Sequence, residues 1–267
     1  MAIPIYCFTG TGNSLVVARR LAAALGGEVR SMARAIAADE RPIEGRVGLV
    51  FPTYMYRPPH LVAAFLGRLR PGATAFAVVT HGGDPGGVLG RTKAALAASG
   101  VSLTAAYGVR TPGNFTPFGG PGPADEVAAL LAAAEARVDA IAQEIARGAR
   151  HLDPPSGNLF TRGVYPGLWY KLGHWAIPMT DQKFWVNGAC VGCGACARVC
   201  PVGNVTLVEK RPMWHKRCEQ CLACLQWCAK GAIELGKETP GVARYHNPAV
   251  ARREIIAFHG CSRAPEP

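Results

Sequence analysis

Eight of the ten cysteines in this chain of 267 residues fall between Cys190 and Cys228. They form two runs of identical spacing, Cys190-x2-Cys193-x2-Cys196-x3-Cys200 and Cys218-x2-Cys221-x2-Cys224-x3-Cys228. An offset of 28 residues superimposes all four cysteines and also pairs Ala195 with Ala223, Gly203 with Gly231, Val205 with Ile233 and Leu207 with Leu235. This is an internal repeat, and cysteines so dense point to metal or redox chemistry rather than to a disulfide scaffold. Zinc in four-thiolate sites is one candidate occupant. Zinc ribbons, however, use paired C-x2-C knuckles separated by a longer gap, not three cysteines at consecutive C-x2-C steps. Three thiolates on one tight loop suit three irons of a cube, so iron–sulfur clusters are the expected occupants. From Lys183 onward the chain reads as loops and very short strands, the texture of a small domain built around metal.

This stretch, about residues 183–236, resembles the bacterial two-cluster ferredoxins. The resemblance implies that the fourth cysteine of each run serves the other cluster. One [4Fe-4S] cluster is then held by Cys190, Cys193, Cys196 and Cys228, and the second by Cys218, Cys221, Cys224 and Cys200. Pro201 follows the first run as in that family, whereas Ala229 departs from it after the second, which bears on the shielding of one cluster. Trp185, Trp214 and Trp227 flank the runs and are expected to exclude water rather than relay electrons. Cys7 and Cys261 lie far from the repeat and read as unliganded thiols.

The first 150 residues have another pattern. Short candidate strands (Ile3–Phe8, Glu28–Ser31, Val47–Phe51, Ala73–Thr80, Ser102–Val109) alternate with helical stretches, the last about Ala124–Arg147. β-α repeated five times predicts an α/β fold with a doubly wound, five-stranded parallel sheet. The following domain is expected to be a small α+β one. The expected division is 1–150 for the α/β domain, 151–182 for a linker and aromatic connecting segment, 183–236 for the cluster domain and 237–267 for a C-terminal extension.

Between the first strand and first helix stands Thr9-Gly10-Thr11-Gly12-Asn13-Ser14. Backbone amides at such a place hold anions. The loop lacks the Lys-Ser/Thr ending of a nucleotide-hydrolase loop, and Leu15 replaces the third glycine of the dinucleotide fingerprint. No Lys or Arg occurs from Phe8 to Ala18, so the cradle suits one phosphate monoester. The loop resembles the flavodoxin phosphate loop. That resemblance implies FMN, with the flavin ring held by loops after strands three and four. Here those loops are Pro52-Thr53-Tyr54-Met55-Tyr56 with Arg57, and Thr80-His81-Gly82-Gly83-Asp84 with Pro85-Gly86. The lesser alternative for Tyr54 and Tyr56 is that they merely cover a hydrophobic edge. His81 is a flavin neighbour whose proton-transfer role has little support from one histidine alone.

Over most of its length the chain resembles the EFR-type family of flavodoxin–ferredoxin fusion proteins. The resemblance is carried by Thr9–Ser14, Phe51-Pro52-Thr53-Tyr54, Phe184-Trp185-Val186, Cys200-Pro201-Val202-Gly203-Asn204, Trp214 and Arg244-Tyr245-His246-Asn247-Pro248. It implies electron transfer, with an electron carrier expected over an enzyme. A flavin-dependent reductase of a small substrate and a redox-sensing or docking subunit are the alternatives. The formal charge of +11 is spread over both halves without a like-charge block, which argues against nucleic acid. The expected partner is an acidic redox protein, with a homodimer possible. No apolar stretch is long enough to span a membrane, and the N-terminus has no signal-peptide pattern, so a cytoplasmic location is expected.

Overall fold

The structure is a computed structural model, and it describes residues 2–41, 43–155 and 171–260. Two compact units divide them. The first comprises residues up to Thr9, Asn13–Pro112 and Ala124–His174. The second comprises Gly10–Gly12, Gly113–Pro123 and the chain from Trp175 onward. This division differs from the sequence-based one, because the first unit runs through residue 174 and the second takes in two short loops from earlier in the chain.

The first unit is built on β1 (Ile3–Cys7), β2 (Gly27–Ser31), β3 (Arg46–Pro52), β4 (Thr74–His81) and β5 (Ser102–Arg110). A sixth strand, β6 (His151–Leu152), completes the sheet. The order is β2-β1-β3-β4-β5-β6 and every pairing is parallel. The central strands are apolar almost throughout, as a sheet covered on both faces requires: Val47, Leu49, Val50 and Phe51 of β3 and Ala75 to Val79 of β4 are buried. The 2-1-3-4-5 order of the first five strands is that of the flavodoxin-like α/β fold.

The sixth strand corrects the expectation of five. Residues 151–152 fall in the expected linker but pair with Ala105 and Ala106 of β5. Asp153 fixes this edge by accepting the Gly108 amide on Oδ2 at 2.7 Å, and the His151 ring stacks on Tyr107 at 5.0 Å. Two consecutive prolines at 154–155 hid the strand from a pattern reading. The rest of the expected connecting segment, residues 156–170, lies outside the described residues.

Around the sheet lie α1 (Asn13–Leu25), α2 (Met32–Ala37), α3 (His60–Leu66), α4 (Val88–Ala98) and α5 (Ala124–Ala146). The short α2 was not anticipated; Ser31 caps it by accepting the Arg34 amide at 3.3 Å. α1 and α5 are joined by Arg20, which forks onto Asp139 at 2.6 and 2.7 Å and reaches Glu135 at 2.7 Å. The Val138, Ile141 and Ile145 face of α5 is buried as its spacing predicts.

The second unit contains β7 (Phe184–Val186), β8 (Val205–Val208), β9 (Arg211–Trp214) and β10 (Ile233–Leu235). β7 pairs antiparallel with β10, and β8 with β9. Its helices are α6 (Ala195–Arg198), α7 (Ala223–Gln226) and α8 (Arg252–His259). The 28-residue repeat is carried by the backbone as well as by the cysteines. Gly192 and Gln220 are both left-handed (φ 66° and 53°), as are Gly194 and Leu222 (70° and 58°) and Gly203 and Gly231 (60° and 55°). The first run meets these turns with glycine throughout, whereas the second forces Gln220 and Leu222 into them. Leu222 is held there by its side chain, buried in a core with Phe184, Leu225, Ile233 and Leu235. Among the described residues no helix is long and apolar enough to cross a membrane.

Candidate functional site

The second unit gathers the eight cysteines into two groups of four. Cys190, Cys193 and Cys196 line one cavity of about 220 Å³ together with Cys228, which comes from the other run. Val191, Leu207, Pro212, Ala229, Ile233 and Arg252 share its wall. Ala229, the departure from the ferredoxin pattern, is therefore part of this lining. Cys193 is exposed and the other three are half-buried. The second group is more secluded. Cys200, Cys221 and Cys224 are buried, and each of Cys200, Cys218 and Cys221 lies within electrostatic reach of Cys224. Burial pushes the Cys218 thiol up to about 12 and the Cys196 thiol to about 11, while Cys221 and Cys224 rise well above the usual thiol range. Thiols so withdrawn from water need a strongly cationic partner to ionise. Each run is thus brought against the fourth cysteine of the other, and the donor sets fit iron–sulfur clusters.

Amides aimed at the sulfurs repeat with the cysteines. Asn204 N donates to Cys200 Sγ at 3.2 Å and Ala232 N to Cys228 Sγ at 3.3 Å, again 28 residues apart. The left-handed Gln220 donates its amide to Cys218 Sγ at 3.2 Å. Hydrogen bonds to cluster sulfurs tune reduction potential.

Asn204 is a residue whose role the sequence reading did not identify. Its Oδ1 accepts the amides of His215 (3.1 Å) and Arg217 (2.7 Å), and its Nδ2 donates to the buried Asp181 at 2.8 Å. Asp181 also accepts the Lys216 amide at 2.7 Å. One side chain after the first run therefore fixes the approach to the second. Buried polar residues so close to the cysteines were the available signal, but nothing in the spacing showed which atoms would meet. The C-terminal Arg244-Tyr245-His246-Asn247 segment is a second such case. Arg244 bridges Glu234 (2.7 Å) and the Ile233 carbonyl (3.1 Å) on β10. The Tyr245 amide donates to Gln226 at 2.7 Å, and the His246 ring stacks on Trp227 at 4.2 Å.

Of the three tryptophans expected to exclude water, Trp227 is buried and Trp214 half-buried, whereas Trp185 remains 43% exposed. Trp185 acts instead as a tie, its Nε1 donating to the Gly236 carbonyl at 2.7 Å. Trp227 Nε1 donates to the Gly10 carbonyl at 2.9 Å within the second unit. A Cβ on Gly10 would run into the carbonyl oxygen of Cys221, so glycine is required by close backbone approach.

The expected phosphate loop is apportioned between the two units: Thr9, Asn13 and Ser14 belong to the first, Gly10, Thr11 and Gly12 to the second. All six are buried. In the first unit, Asn13 Nδ2 donates to Thr111 Oγ1 (3.3 Å) and the Pro112 carbonyl (3.2 Å), and Ser14 Oγ meets Thr80 Oγ1 at 2.8 Å. In the second, the Asn114 amide donates to Thr11 Oγ1 at 2.9 Å and the Asn247 amide to the Thr11 carbonyl at 2.8 Å. Among the described hydrogen bonds the backbone amides of Gly10 and Thr11 have no acceptor. Buried donors of this kind suit a phosphate.

The two further loops pack together in the first unit. Tyr54 and Arg57 exchange backbone hydrogen bonds of 3.0 Å across Met55 and Tyr56, both left-handed (φ 49° and 58°). This primed turn is unusual without glycine. A side chain on Gly86 would meet the Tyr56 ring. Pro52 and Thr53 lead into the turn, with the Thr53 amide on the Thr80 carbonyl at 3.1 Å. Gly82 is exposed. His81 Nδ1 donates to the Gly83 carbonyl at 2.7 Å, Asp84 Oδ1 accepts the Gly86 amide at 2.7 Å, and burial holds the His81 imidazole below its ordinary pKa. These bonds give His81 and Asp84 a role in shaping the loop. Cys7 is buried in β1, and burial pushes its thiol far above the usual range, as an inert core thiol requires. Cys261 lies outside the described residues.

Residues 180–233 match the family of 4Fe-4S dicluster domains. A comparison with curated proteins finds no match. Among solved structures, the chain is similar to the two-electron reduced flavodoxin of Megasphaera elsdenii at 19% identity and a TM-score of 0.33, over 50% of this chain and 98% of that one. It is similar also to a flavodoxin from the domain Archaea, at 10% identity and a TM-score of 0.33, over 53% of this chain and 99% of that one. The strand order, not these scores, carries the fold of the first unit. The chain thus joins a parallel sheet of flavodoxin-like order to a 4Fe-4S dicluster domain.

Proposed function

We propose that the protein is an electron carrier that holds two [4Fe-4S] clusters and FMN and passes electrons to a protein partner. The observation that carries this reading is the crossing of the fourth cysteines, with Cys228 among Cys190, Cys193 and Cys196, and Cys200 among Cys218, Cys221 and Cys224. Bound FMN supplies one- or two-electron capacity and each cluster one-electron capacity. Thr9, Gly10, Thr11, Gly12, Asn13 and Ser14 would hold the phosphate, and the loops at Pro52–Tyr56 and Thr80–Asp84 would flank the ring. The amides on Cys200, Cys218 and Cys228 offset thiolate charge. The more open first group, with Cys193 exposed beside Val191 (62% exposed), is the entry and exit point for electrons. The core around Leu222 and Leu225 keeps water from the second.

Anaerobic purification with iron, sulfide and flavin quantified tests the reading. The expected content is about eight iron, eight sulfide and one flavin per chain. Cys228→Ser and Cys193→Ser should perturb one and the same cluster signal in electron paramagnetic resonance, and Cys200→Ser the other. Signals that instead sort by run, or zinc in place of iron, would overturn the assignment.

A further inference from the structure

The 28-residue repeat is symmetric in its cysteines and broken in its charge. Arg198, the last residue of α6, corresponds to Gln226, the last residue of α7. Gln226 is buried and neutral, and it is spent on neighbouring chain. Its Nε2 donates to the Asn114 carbonyl at 2.7 Å and to Thr116 Oγ1 at 2.8 Å, and its Oε1 accepts the Tyr245 amide at 2.7 Å. Arg198 is exposed instead, and its Nη2 donates to the Cys193 carbonyl at 3.2 Å. Its Nη1 lies 4.0 Å from where a Cβ on Gly194 would stand, so the guanidinium rests against the loop of the first run.

A second guanidinium reaches the same four cysteines from the C-terminal part of the chain. Arg252, the first residue of α8, is in the wall of the cavity shared by Cys190, Cys193, Cys196 and Cys228, and Lys230 stands beside it there. Its Nη1 donates to the Trp227 carbonyl at 3.3 Å, the peptide oxygen immediately before Cys228. Each arginine is therefore pinned to the backbone at a different cysteine of one group. Among the described residues of this unit Arg244 is the arginine that meets a carboxylate, Glu234 at 2.7 Å, whereas Arg198 and Arg252 meet none. Beside the second group stands a carboxylate. Asp181 is buried and bonded to Asn204, whose own amide donates to Cys200 Sγ at 3.2 Å.

We propose that Arg198 and Arg252 are potential-setting residues of the first cluster, their fixed charges raising its reduction midpoint and favouring an electron at the exposed end of the unit. The proposal rests on the reading of the eight thiols as two [4Fe-4S] sites. One electron added to a cluster adds one negative charge and makes or breaks no bond. A nearby positive charge favours that reduced form, and the charge of arginine is permanent. The electron comes from the redox partner of the proposed function, and from dithionite in the test. Solvent around the two exposed side chains damps the effect without abolishing it.

The test is an anaerobic redox titration of the cluster-loaded protein with dithionite, read by electron paramagnetic resonance. The signal perturbed in Cys193→Ser identifies the first cluster. Arg198→Gln and Arg252→Gln should each move its reduction equilibrium toward the oxidised form by about threefold, which is about 30 mV for a one-electron couple. The midpoint of the second cluster should hardly move. Arg198→Lys and Arg252→Lys should keep most of the parent midpoint. Arg253→Gln removes the same net charge from an exposed position one residue along α8, outside the cavity wall, and should leave the midpoint unchanged. Iron and sulfide contents equal to the parent's show that each variant still holds its clusters. A first-cluster midpoint indifferent to both glutamine variants, or lowered equally by the lysine variants or by Arg253→Gln, would overturn the proposal. Two titrating clusters would in that case leave the iron–sulfur reading standing. Zinc in place of iron would sink the reading and the proposal together.

Discussion

Gln220 and Leu222 occupy the same left-handed backbone and owe their identity to different forces. A side chain in this conformation costs about 1–2 kcal/mol, and glycine avoids that cost while adding about 0.5–1 kcal/mol of unfolded-chain entropy. At Gln220, which is half-buried and contributes its amide to Cys218, the two effects nearly cancel. Gln220→Gly should therefore leave the denaturation midpoint unchanged or slightly raised. Leu222 is 2% exposed in the core of the second unit, and burial of such a side chain is worth about 1.5–3 kcal/mol before any cavity is counted. Leu222→Gly should destabilise by about 2 kcal/mol despite relieving the same strain. Chemical denaturation of the anaerobic, cluster-loaded protein distinguishes the two, and equal behaviour would mean that backbone strain rather than packing decides position 222.

Between elements, short polar links replace the large core that so small a unit lacks. Asn204 joins the end of the first cysteine run to the approach of the second through two accepted amides and one donation to Asp181. Asn204→Ala takes the acceptor from the Arg217 amide and one donor from Asp181, while His215 keeps the residue-204 carbonyl, and should cost about 2 kcal/mol, read as a lower thermal midpoint with faster iron loss. Asn204→Asp, which restores the acceptor but sets a carboxylate against Asp181, should recover little. In the first unit, the His60 and His174 rings, 4.0 Å apart, set a pH dependence. Burial, then His60, hold the His174 pKa in the folded protein at about 4, below the ordinary 6.5 of an unfolded histidine. Between these values the unfolded chain binds the extra proton. The contribution to stability is thus fully present above about pH 6.5 and lost as the pH falls toward 4. Urea midpoints measured across that window should decline less steeply in His174→Gln than in the parent, and parallel curves would remove the imidazole from the account.

At the scale of the whole molecule, the net charge of +11 has no concentrated block, and much of the acidic complement is already paired. Arg20 with Asp139 and Glu135, and Arg68 with Asp39, are surface pairs that contribute little to stability. The Asp139 carboxyl is held low by the Arg20 guanidinium, and the Asp39 carboxyl by Arg68 and then Arg41. The excess is positive and diffuse, a field that would speed the approach of an acidic partner to the electron carrier proposed here. Electron-transfer rates to an acidic redox protein should therefore fall as ionic strength rises from about 0.01 to 0.15 M, because the screening length contracts from about 30 to 8 Å. Stopped-flow mixing at several salt concentrations checks this, and salt-independent rates would point to a docking surface governed by apolar contact.

The spacing of the cysteines and the alternation of apolar runs determined, without coordinates, that this chain carries an iron–sulfur domain after a parallel α/β sheet. Both signals are local and periodic, so they survive in one dimension: a thiol repeat is set by the reach of a tight loop, and a buried strand by its uninterrupted hydrophobicity. The two-residue β6 left no such trace, since two residues beside prolines have no period, and their pairing with β5 is fixed by Asp153 reaching the Gly108 amide. Nor did the sequence show that Asn204 would tie one run to the next or that Arg244 would hold β10. Those relations join residues from separate parts of the chain, and only folding brings them within hydrogen-bonding or Coulombic range.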